Sequence, residues 1–224
     1  TGMTLASGAT INVDASEVTE MLTDETAGRL TISDQQITVT GAIAVSTAND
    51  LDGITGGIVT ASIATDSTVD SLATLTGTNA YTITIAAADA TGSTAAELTA
   101  IENATSVAIN ADAVIEITGT YSEIVSLYGS EGITGLGDEN LNIEGELSVI
   151  EANTIDALTE GTVTADIATD STVDSLVTLT GTNAYTIVIS EDDAIGSTAS
   201  ELNIINEATV NVLLIDNIEG FVKE

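Results

Sequence analysis

The segment Ile63–Ile85 (IATDSTVDSLATLTGTNAYTITI) returns 104 residues later as Ile167–Ile189 (IATDSTVDSLVTLTGTNAYTIVI), and a fold for this chain has to accommodate the same structure twice. Of 23 aligned positions only Ala73/Val177 and Thr84/Val188 differ, and both exchanges keep residue types that suit a half-buried strand surface. The match continues upstream, Gly41–Ser62 against Gly145–Asp166, and downstream, Asp89–Thr105 against Asp193–Thr209. A repeat of this length calls for an architecture in which each copy buries its apolar face against its neighbours.

Two local signals alternate along each copy. Period-two apolar spacing, the mark of a strand with one buried face, appears at Ile37, Val39, Ile43 and Val45, at Val59, Ala61 and Ile63, and at Tyr81, Ile83 and Ile85. It recurs at Val107, Ile109, Ile115 and Ile117, and at the counterparts in the second copy from Leu141 to Ile189. Between these runs, a small polar residue followed three positions later by an acid predicts a helix start of the capping-box type. The pairs are Asp14/Glu17, Asn49/Asp52, Ser67/Asp70, Thr94/Glu97, Thr120/Glu123, Asn153/Asp156, Ser171/Asp174 and Thr198/Glu201. Four such starts fill each 104-residue superrepeat, or about 26 residues per βα coil, a length typical of solenoid repeats. Gly41, Gly57, Gly77 and Gly92, with Gly145, Gly161, Gly181 and Gly196, are expected at the corners.

Strands separated by short helices pair more naturally in parallel, since antiparallel hairpins need only tight turns. The expected fold is therefore a β-rich repeat protein, a parallel β-solenoid with short capped helices between strands. Tandem β-sandwich modules, for which about 100 residues is an ordinary length, are the alternative. Residues 1–40 read as the end of a preceding superrepeat, 41–144 as superrepeat 1 and 145–224 as an incomplete superrepeat 2, in a continuous array without linkers. The chain reads as an internal portion of something longer, with any export signal outside it.

Composition narrows the function. Thirty-five acidic residues face only Arg29 and Lys223, for a formal net charge of −33, so counterions must neutralise nearly all the carboxylates. Such a surface disfavours nucleic acid and anionic membranes as partners. Apolar residues make up 43% of the chain, yet no run approaches the roughly 18 needed for a membrane helix, so no membrane insertion is expected of this segment. Cysteine and histidine are absent, which removes disulfides, thiolate or imidazole metal sites and Cys/His nucleophiles. Paired carboxylates are everywhere, but four Tyr and one Phe offer few sugar-stacking platforms, so no glycosidase and no other enzyme is expected.

Three stretches carry a resemblance: Leu75–Ile85 (LTGTNAYTITI), the turn YSEIVSLY at 121–128 and Gly132–Asn140 (GITGLGDEN). They resemble the giant repetitive cell-surface proteins of marine unicellular cyanobacteria that swim without flagella, and related secreted bacterial adhesins. The resemblance implies an extracellular, cell-surface location and a structural role without turnover.

The expected function is thus a structural segment of an extracellular fibre, surface coat or adhesin stalk. The alternative is a binding module that grips a glycan or protein partner on a solenoid face; differences between the copies should then cluster on one side of the coil, whereas a spacer scatters them. Thr4–Val13 and Val210–Ile215 both read as strands at uncapped ends, which predicts pairing with adjoining repeats or another subunit end to end. No cofactor is required. Calcium is the one candidate ion, because it takes six to eight oxygens in flexible geometry. Asp66 and Asp170, just before their helices, are the candidate ligands, to be completed by corner carbonyls. Asp138, in the glycine-rich turn Gly135–Leu141, is a further candidate, with a plain tight turn as the other reading.

Overall fold

A computed structural model describes residues 2–86 and 92–215. The chain divides into two compact regions, 1–114 with 130–135, and 115–129 with 136–224. In the first region the elements are β1 (Met3–Thr4), β2 (Thr10–Asp14), α1 (Val18–Thr26), β3 (Leu30–Thr31), β4 (Gln36–Ile43), α2 (Val45–Ile54), β5 (Val59–Ile63), α3 (Val69–Leu72), β6 (Ala80–Thr82), β7 (Ser93–Thr94), α4 (Ala95–Asn103) and β8 (Ile109–Asn110). In the second, β9 (Glu116–Thr120) leads into α5 (Tyr121–Tyr128), while β10 (Ile133–Thr134) belongs to the first. The second continues through β11 (Asn140–Leu147), α6 (Val149–Asp156), β12 (Val163–Ile167), α7 (Val173–Leu176), β13 (Ala184–Thr186), β14 (Val188–Ile189), α8 (Glu191–Ala194), α9 (Ala199–Glu207) and β15 (Leu214–Ile215).

This is a mixed α/β architecture. Every described strand pair is parallel, and none of the described sheets closes into a barrel. The first region stacks β2, β4, β5 and β6 in chain order; the second stacks β9, β11, β12 and β13 the same way. A sandwich module is built on antiparallel pairs, which do not occur among the described strands. The register is copied too: Ile11 lies opposite Ile37 and Ile37 opposite Val59, as Ile117 lies opposite Leu141 and Leu141 opposite Val163.

The alternation read from sequence is the burial pattern observed in β5 and β12, whereas Val107 and Ile115, read into the same pattern, lie outside the strands and are exposed. Val59, Ala61 and Ile63 point inward while Thr60 and Ser62 are exposed, and β12 repeats this. Small and branched side chains from both layers meet in a thin core: Ile37 and Val59 from the strands and Ala48 and Leu51 from α2 have no exposed surface. Each such Val, Leu or Ile contributes about 1.5–3 kcal/mol by leaving water.

Several expectations are corrected. Gly41 and Gly145 lie inside β4 and β11, not at corners: with φ of 95° and 91°, each sits where the register steps from 22 to 20 residues, a bulge that absorbs two extra residues. Val45 and Val149 open helices and do not end strands. Thr4–Val13 is broken by a turn into β1 and β2, and only Leu214–Ile215 of Val210–Ile215 is strand.

The helix starts divide into those placed correctly and those displaced. Thr94/Glu97, Thr120/Glu123 and Thr198/Glu201 form reciprocal capping boxes, and so does Ser148/Glu151, which the spacing analysis missed. At α3 and α7 the caps are Thr68 and Thr172, one residue past Ser67 and Ser171. Asp14 instead accepts hydrogen bonds from the backbone and hydroxyl of Ser16, and Glu17 holds the N-cap position of α1 without a side-chain cap. Asn49/Asp52 and Asn153/Asp156 lie in the interior of α2 and α6, where they do other work.

Candidate functional site

The stretch that is nearly identical in both copies is gripped by the helix that precedes it. Asn49 and Asp52 lie one helical turn apart on α2, so both side chains leave the same face. Asn49 Nδ2 donates to the carbonyl of Thr74 at 2.9 Å, and its Oδ1 accepts from the Thr76 amide at 3.0 Å. Asp52 takes the Thr76 hydroxyl at 2.8 Å on one oxygen and Asn79 Nδ2 at 2.9 Å on the other. Asn79, 2% exposed, uses its own Oδ1 to accept from the Val59 amide at 2.8 Å. One carboxylate and two amides thereby tie α2, β5 and the turn before β6 into a polar clamp.

The second copy repeats it closely. Asn153 bonds the Thr178 carbonyl and the Thr180 amide, both at 2.9 Å. Asp156 takes the Thr180 hydroxyl and Asn183 Nδ2, both at 2.7 Å, and Asn183 accepts from the Val163 amide at 2.9 Å. Gly77 and Gly181 turn at φ near 70° beneath these carboxylates, and a Cβ on either would lie 2.2 Å from the aspartate oxygen. A side chain there is excluded by contact as well as by backbone conformation.

Beside the clamp, Tyr81 and Tyr185 are fully buried, their hydroxyls donating to the carbonyls of Ala48 at 3.2 Å and Ala152 at 3.4 Å. Burial, and then the nearby charge of Asp52 or Asp156, push both phenols above their ordinary value. These rings are packing elements with no face open to a ligand, as the sheet pattern leads one to expect.

A second set of polar residues was not apparent in the sequence. Thr55, Thr105, Thr159 and Thr209 follow helices, and each hydroxyl donates to a carbonyl 20 or 24 residues earlier: Gln35, Tyr81, Glu139 and Tyr185, at 2.5 to 2.7 Å. Each also accepts the amide two residues on, at 2.9 to 3.1 Å. The one signal for them is that Thr recurs at these positions in both copies.

Gln35 and Glu139 occupy the same position and are both 1% exposed. Gln35 accepts from the amides of Ser33 and Asp34 and donates to the carbonyls of Leu5 and Ala6 and to Asp34. Glu139 accepts from the amides of Gly137 and Asp138. The turn Gly135–Leu141 therefore closes on a buried carboxylate, and Asp138 itself points to an exposed position.

The other calcium candidates, Asp66 and Asp170, are also exposed, in turns before α3 and α7. Among the described residues no group of three or more acids is gathered so as to hold a metal ion. Of the acids retained in both copies, Asp52/Asp156 serve the clamp and Glu97/Glu201 the capping boxes, while Asp34 accepts the Ser7 hydroxyl. Asp89 lies outside the described residues. The Thr94 hydroxyl, before the backbone amide, holds Glu97 below the usual glutamate range; for Glu123 and Glu201 the cap-residue amide leads.

No family model, curated protein or solved structure matches this chain. No described helix is long and apolar enough to cross a membrane.

Proposed function

We propose that these residues form a structural segment of an extracellular fibre, surface coat or adhesin stalk, in which βα coils wind into a parallel β-solenoid and act by length and stiffness. The observation that carries this reading is the use of the buried polar side chains. Asn79, Asn183, Thr55, Thr105 and Thr209 are buried, and each bonds backbone 20 or more residues away, joining one coil to the next. None of them is left for turnover.

The distribution of differences between copies supports a spacer over a binding face. Exposed positions diverge on the sheet side, as in Thr40/Glu144, Ala42/Glu146 and Ser62/Asp166, and equally on the helix side, as in Ser46/Ile150 and Gly53/Ala157. A recognition surface for a glycan or protein would concentrate them on one side. The extracellular placement comes from the resemblance and fits an acidic chain free of cysteine.

Small-angle scattering on chains carrying one, two and three superrepeats tests the reading. Four coils at about 4.8 Å each should add about 20 Å of length per superrepeat at constant cross-section. Growth in all three dimensions would overturn it.

A further inference from the structure

We draw no further inference here: the strongest candidate, the hollow of about 320 Å³ in the second region where Asp174 of α7, Asp192 and Asp193 of α8 and Glu201 of α9 gather, carries nothing, because it is a cluster of acidic side chains, none of them buried, and no second feature there points to a ligand.

Discussion

Gln35 in the first region and Glu139 in the second fill the same buried position, and one atom separates them. The glutamine satisfies both ends of its amide, accepting from two backbone amides and donating to three oxygens. The glutamate keeps the accepting half and, when ionised, has no donor for the other. The comparison teaches that the corner was built around a neutral side chain that both gives and takes. Gln35→Glu should therefore do most damage, placing a carboxylate oxygen against the Leu5 and Ala6 carbonyls and the Asp34 carboxylate at a cost of about 3 kcal/mol or more. The reciprocal Glu139→Gln should stabilise the second region by about 2 kcal/mol. Amide hydrogen exchange reads the two regions separately. Equal effects of the two substitutions would show that the positions are not equivalent.

The clamp sharpens the comparison from the other side, because here the two regions share every bond but one: Asn79 Nδ2 also donates to the Thr76 carbonyl, and Asn183 Nδ2 to the Tyr185 hydroxyl. Asn79→Ala leaves the Val59 amide and one oxygen of Asp52 without partners, which should cost about 2 kcal/mol, and Asn183→Ala should cost the same through Val163 and Asp156. Urea titrations of both variants against wild type provide the measurement. A large inequality between the two would mean that one of these networks is dispensable.

What was legible in the sequence followed the range over which each residue acts. Thr94/Glu97 and Thr198/Glu201 bond across three residues, so spacing alone reveals them. Asn49/Asp52 have the same spacing and a different role, because the N-cap of α2 is Ala44, five residues before Asn49, and the helix carries them into its middle. Their partners stand 24 to 27 residues away, a separation on which no local pattern bears. The parallel strand order was legible because alternation and short helices recur together. Glu139 was not, since a glutamate between Asp138 and Asn140 reads as surface, and only its backbone neighbours at Gly137 and Asp138 explain its burial. The bulges at Gly41 and Gly145 escaped for a similar reason: a glycine in a strand and a glycine at a corner look alike until register is known.

A smaller difference separates α4, which has a capping box, from α1, which has no side-chain cap. Thr94→Ala should cost about 1 kcal/mol at neutral pH, most of it from the lost cap, because solvent screens the Glu97 carboxylate. The pH dependence has a definite sign. Glu97 is held below the ordinary glutamate value when folded, so its contribution is complete above that value and is lost as pH falls through the lower folded one. The gap between wild type and Thr94→Ala should therefore narrow in acid. Thr198→Ala should behave alike, since Glu201 shifts in the same direction. A gap that stays constant down to strongly acidic pH would remove the carboxylate from the cap.

Calcium should have the smallest effect, and it divides specific binding from screening. Asp66 and Asp170 are retained in both copies and exposed, whereas the retained acids with structural duties are bonded into caps or the clamp. A chain of net charge −33 gains stability from any divalent cation that screens its self-repulsion. Thermal unfolding in calcium against chelator, at matched ionic strength, should show a modest rise in midpoint. The double variant Asp66→Asn/Asp170→Asn should keep that rise almost whole, because two of 35 acids carry little of the total repulsion. If the rise vanishes in the double variant, these two aspartates are ligands, and the corner carbonyls beside them complete the site. If it vanishes only in one of the single variants, the two copies differ in ion binding, and the near-identity of Ile63–Ile85 and Ile167–Ile189 does not extend to their chemistry.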